Sequence, residues 1–176
     1  MKKASRFMPE YIPKKASPIA LAILLGVFIL VSIFSPIFLV IIAGLFILIG
    51  VWTYFEQPKI DRYFENLYNE RKHLSICDFA REFNPKEVDT WVVRATYEQL
   101  QKILGTKQLI PIKSSDHLFD DLMLDEDDLD LDLAEEIAQR TGRSLDNTEH
   151  NSYYGKVQTV KDLVLFFNKQ VLVNAT

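Results

Sequence analysis

Residues 18–55 read PIALAILLGVFILVSIFSPIFLVIIAGLFILIGVWTYF, a run without one Asp, Glu, Lys or Arg. No other feature limits the fold as strongly, because a segment of this composition belongs in hydrocarbon. As a single straight helix it would extend roughly 55 Å at 1.5 Å per residue, against a bilayer core of roughly 30 Å. One span is too few. Ser35-Pro36 lies at the middle and divides the run into legs of about 17 and 19 residues, each near the minimum for a crossing. The length predicts a two-helix transmembrane hairpin. Its turn would lie in the far headgroup layer, where water satisfies the carbonyls that proline leaves unpaired, and Trp52, Tyr54 and Phe55 would mark the near interface. A kinked single span or a re-entrant loop has the same composition.

Lys2, Lys3, Arg6, Lys14 and Lys15 precede the run, which invites comparison with a cleaved signal peptide. The run is more than twice the length of a signal h-region, and no small-x-small cleavage site followed by polar sequence ends it. Lys59, Arg62, Arg71 and Lys72 follow it. With basic residues on both flanks and none at the midpoint, the positive-inside rule puts both ends in the cytoplasm.

The remaining charge is unevenly divided. Residues 1–17 carry +4, 56–113 carry +1, 116–149 carry −11 and 150–176 carry +2, within a total of −4. About 120 residues follow the apolar run, enough for one small water-soluble domain. The single cysteine, Cys77, excludes an internal disulfide framework and a cysteine-cluster metal site. It falls in an apolar stripe beside Ile76 and Phe79, which predicts a buried, inert thiol.

The soluble part reads as helices. After Pro58, the residues Ile60, Tyr63, Phe64, Leu67 and Tyr68 recur at helical spacing, predicting a juxtamembrane helix within a linker of residues 56–84. Ser75-Ile76-Cys77-Asp78 has capping-box spacing and starts a short helix. Asn84-Pro85-Lys86-Glu87 resembles a second helix start, and the stripe Val88, Trp91, Val92, Ala95, Leu100 and Ile103 extends it to Gly105. Two helices around an Asn-Pro turn suggest a DNA reader, but the region is near neutral and the next strongly acidic, so no nucleic acid is expected. In the acidic region Leu122, Leu129, Leu133 and Ile137 share one helical face. Asp128, Asp130 and Asp132 alternate as in a calcium loop, yet Leu133 stands where that loop needs glycine and Gln139 where it needs glutamate, so no metal is expected. Thr141-Gly142 ends this helix, and Thr159-Val160-Lys161-Asp162 caps a last one over 160–170.

A long first helix (85–104), a loop of about twenty residues, an acidic second helix opening in D-L-x-x-D, a tyrosine-bearing stretch and a T-V-x-D-L final helix resemble an acyl carrier protein over roughly residues 86–170. The resemblance implies an all-α fold, with a carrier-like four-helix domain at 85–176 behind the hairpin of 18–55 and the basic segment 1–17. In carriers the motif is D-L-G-x-D-S-L and its serine receives phosphopantetheine. Here Asp121-Leu122-Met123-Leu124-Asp125-Glu126-Asp127 puts Glu126 at the serine position, so no cofactor is expected. The pattern looks closer to an uncharacterised bacterial group that lacks the serine, which implies a multi-pass inner-membrane protein with its soluble domain facing the cytoplasm. No catalytic constellation is present. The reading is a non-enzymatic interaction module that offers Asp125, Glu126, Asp127, Asp130 and Glu135 to a basic protein surface. A membrane-bound carrier with an atypical attachment site, and an accessory or immunity-type membrane protein, are the alternatives.

Overall fold

The computed structural model describes residues 4–13, 17–34, 36–106, 108–125, 127, 129 and 133–173. Among them regular structure is helical: α1 (Pro18–Phe34), α2 (Pro36–Arg71), α3 (Ile76–Arg81), α4 (Thr90–Ile103), α5 (Ala134–Thr141) and α6 (Val160–Lys169), with 3-10 turns at Ser5–Phe7 and Thr148–His150. Two isolated bridges, His117 with Thr159 and Arg143 with Leu172, are the only strand-like pairings among the described residues. The chain divides into two units, residues 12–63 and residues 1–11 with 64–176.

In the first unit the described residues of 18–55 are apolar and mostly exposed, as in Ile19, Leu24, Phe46 and Trp52. One helix in it, Ile37–Arg71, is long and apolar enough to cross a membrane, with a mean hydropathy of 2.6 in its best window; Pro18–Ile33 is a shorter apolar helix. Pro36 opens α2 at the first helical position, where its missing N–H costs nothing. Among the described residues, packing between α1 and α2 is at most slight, and the expected hairpin is not seen as a packed pair. The expected juxtamembrane helix is no separate element. α2 runs through Pro58 to Arg71, and the Pro58 carbonyl accepts a 3.0 Å hydrogen bond from Arg62 Nε.

The second unit is built around α4. Val92, Ala95, Thr96 and Leu100 are fully buried, and only Arg94, Glu98 and Lys102 make a charged stripe. α5 covers it with Leu133 and Ile137, α6 with Val160, Val164 and Phe167, and α3 with Phe79. Burying such side chains contributes about 1.5–3 kcal/mol each before entropy is counted. Beside the expected domain of 85–176, the unit takes in residues 1–11 and 64–84. Phe64, Leu67 and Arg71 of α2 are buried, spaced on one helical face. Met8, from the basic N-terminal segment, joins the core at 9% exposure.

Local signals fix most helix ends. Ser75 and Thr159 each form the expected capping box, with Asp78 and Asp162. Gly142 closes α5 at φ 68°, a left-handed cap that glycine adopts without strain. α4, however, starts at Thr90 and not at Pro85. Asn84 spends its side chain on a local turn, accepting from Lys86 N–H at 3.1 Å and donating to Glu87 at 2.8 Å. The N-cap is Asp89, which accepts from Trp91 N–H at 3.0 Å.

Candidate functional site

The acidic stretch separates into structural and surface carboxylates. Asp116 is 2% exposed and accepts 2.7 Å from Arg71 Nη1 and 2.8 Å from the Lys113 N–H, tying the end of α2 to the loop. Glu136 is also buried and accepts from Lys102 Nζ at 2.6 Å, joining α5 to α4. Asp121 accepts from the His117 N–H at 2.8 Å and so shapes its own turn. These three answer to the fold, and the acid density of the sequence is in part internal.

Of the five residues expected to meet a partner, Asp125 and Asp127 are exposed and Glu135 is half-buried, while Glu126 and Asp130 lie outside the described residues. Asp120 adds a further exposed carboxylate. The regular part of the acidic helix begins at Ala134, although Asp127 is itself helical.

Between the acids the loop 117–125 alternates inward and outward apolar residues. Leu118, Leu122 and Leu124 are buried, at 0%, 1% and 7% exposure. Leu118 N–H bonds the Gln158 carbonyl at 3.0 Å, and Leu124 N–H returns to the Leu118 carbonyl at 3.0 Å, so the loop is pinned from beneath. Phe119 and Met123 point the other way, 41% and 45% exposed. Met123 has φ 54°. A non-glycine residue in the left-handed region costs about 1–2 kcal/mol, and this is the position where the carrier motif has glycine. Sequence patterning missed Phe119 and Met123; their signal was two large apolar residues flanked by Asp120, Asp121 and Asp125 with no helical stripe to absorb them.

A second charged cluster lies on α4 and α5. Glu98 accepts from Arg94 Nε at 2.6 Å and from Arg140. Burial pushes its carboxyl up, but hydrogen bonds and charge from Arg140 and Arg94 outweigh burial and hold it below the usual carboxylate range. Arg140 also donates to the Pro9 carbonyl at 3.3 Å, and Lys102 lies 5.5 Å from the Tyr11 ring. The N-terminal segment is thereby fastened to α4 and α5.

Cys77 is exposed, against expectation. α3 has six residues and buries Phe79, while Cys77 lies about 200° around the helix from it. Burial raises the Tyr97 phenol above its ordinary value, the backbone bond from Ile112 opposing and the charge of Asp78 adding to the rise. No group of three or more His, Cys, Asp or Glu is arranged to hold a metal among the described residues. Comparison of the chain with protein-family models, with curated proteins and with solved structures gives no match.

Proposed function

We propose that this protein is a membrane-anchored, non-enzymatic interaction module that docks a basic, partly apolar protein surface on its loop 117–125 and the acids that follow it. The observation that carries the reading is the exposure of Phe119 and Met123 beside Asp120, Asp125 and Asp127, on a loop held rigid by Leu118, Leu122 and Leu124. Exposed aromatic and Met side chains supply contact area, and surrounding carboxylates steer a cationic partner and exclude anionic ones. The left-handed Met123 supports a carrier-like loop, since it falls where the carrier motif has glycine.

The anchor is a two-pass hairpin in a bacterial inner membrane, with the folded unit in the cytoplasm. Its support is the path of the chain. The folded unit is left at Tyr11 and re-entered at Phe64, and Met8 is part of its core. A body that holds both ends of an apolar block requires an even number of crossings between them. At roughly 26 Å for 17 residues, α1 is just short of the roughly 30 Å hydrocarbon core.

Affinity capture with the full-length chain tests the reading. Asp120→Lys, Glu126→Lys and Asp127→Lys together should abolish recovery of the partner at low salt, with helical circular dichroism unchanged. Recovery of the same proteins by the variant refutes docking through the acids. Intact mass from the same preparation, coexpressed with a broad-specificity phosphopantetheinyl transferase, should match the unmodified chain; a gain of one arm would establish a working carrier instead.

A further inference from the structure

Two clefts of the folded unit adjoin. One, of about 500 Å³, runs along α4 beside α3, with Ile76, Ala80, Phe83, Val88 and Val93 among its apolar lining. The other, of about 410 Å³, sets Arg6, Arg94, Lys102 and Arg140 against Glu10 and Glu98. Ser5, Arg94 and Glu98 line both, so the apolar cleft ends where the cationic one begins. Each is in the size range of small-ligand sites.

The charge of the polar end favours an anion. Glu98 is shared by two arginines, and Lys102 grips Glu136 from outside the cleft. Even with Glu136 included, four cations face three carboxylates. From Arg94 the apolar lining passes Val93 and Val88 and continues onto Ile76, Ala80 and Phe83, in a cleft of about 500 Å³ that has room for one tail.

We propose that the joined clefts bind a single long-chain carboxylate amphiphile, a free fatty acid, with its tail between α3 and α4 and its carboxylate at Arg94. Arg94 is the anchor because it lines both clefts and, although its Nε bonds Glu98, its side chain is 36% exposed, whereas Arg140 is 10% exposed and bonded to Glu98 and Pro9. The site shares no residue with the loop of Phe119 and Met123, and so stands independently of the docking function.

Cys77 lines the apolar cleft and is the only cysteine in the chain, which makes it a reporter of occupancy. The experiment follows its alkylation by N-ethylmaleimide, read as intact mass, on the full-length protein in nanodiscs of neutral phosphatidylcholine. Palmitate should slow the reaction several-fold and saturably, and hexadecanol should not. Arg94→Gln should raise the palmitate concentration required about tenfold, the loss of one charge-assisted hydrogen bond. Ala80→Trp, at an exposed position, fills the tail cleft and should make the rate independent of palmitate. An unchanged rate at saturating palmitate, or equal protection by hexadecanol, overturns the proposal. Protection by phosphatidylglycerol nanodiscs without palmitate overturns it in favour of a bilayer lipid.

Discussion

Asp116→Asn removes one charge from a site that water does not reach. The side chains of Arg71 and Asp116 are 10% and 3% exposed, and their ion pair is 2.7 Å long. Arg71 Nε is buried without a hydrogen-bond partner among the described residues. Breaking a buried pair from one side costs about 3–5 kcal/mol, because the remaining charge stays desolvated. A small domain has about 5–15 kcal/mol in total. With a urea slope of about 2 kcal/mol per molar, the midpoint should fall by about 2 M. The assay is urea unfolding of the full-length chain in micelles. Trp52→Phe leaves half-buried Trp91 as the only tryptophan, so the fluorescence reports the folded unit. Replacing both partners, Arg71→Met with Asp116→Leu, should return the midpoint to within about 1 M of the parent, since an apolar pair fills the site without stranding a charge. A fall of less than about 0.5 M for Asp116→Asn refutes the reasoning, because a stranded buried charge cannot cost so little.

Met123→Gly should raise stability by roughly 1 kcal/mol, by relieving the left-handed backbone, while weakening partner capture; a loss of stability in urea unfolding would contradict the first half. Met8→Ala should cost about 2 kcal/mol, at the low end for a buried methionine because the segment can lift away, and should expose Arg6 to trypsin. Glu98→Gln tests the shared carboxylate by pH. With its folded value lowered, Glu98 contributes stability above the ordinary carboxylate value, and that contribution is lost as pH falls through the lowered one. The gap in thermal midpoint between parent and Glu98→Gln should therefore be full at pH 7 and close progressively below about pH 4.

What could be read in the chain was local. The capping boxes at Ser75 and Thr159 and the glycine stop at Gly142 are signalled within a few residues, and all three occur. Of the expected helical face, Leu133 and Ile137 are buried and Leu129 is half-buried, whereas Leu122 is buried from the loop and not from a helix. The start of α4 was misread because Asn84-Pro85-Lys86-Glu87 satisfies the same local rules as an N-cap but closes a turn of its own, five residues before Asp89. Cys77 was misread because its neighbours Ile76 and Phe79 are apolar; in a six-residue helix resting on a larger one, only a narrow face is covered.

The rest depends on pairs far apart in sequence. Arg71 finds Asp116 across 45 residues, Lys102 finds Glu136 across 34, and Arg140 reaches Pro9 across 131. No periodicity predicts such pairs. They convert part of an apparently solvated acidic surface into internal bonds, and they turn a basic tail into part of a folded unit. For the site, Asp125 and Asp127 were legible as surface acids, whereas the exposure of Phe119 and Met123 follows from a loop pinned by Leu118, Leu122 and Leu124.

The proposed topology puts both ends of the apolar block, which belong to one folded unit, on one side of a membrane. It is tested by labelling intact bacterial cells with an impermeant maleimide, using Ala4→Cys in a Cys77→Ser background beside the parent chain with its native Cys77. Ala4 and Cys77 are both exposed positions of the folded unit, one before the block and one after it. The account predicts that neither thiol is labelled until the inner membrane is permeabilised, and that both are labelled then. Labelling of one and not the other in intact cells would contradict it.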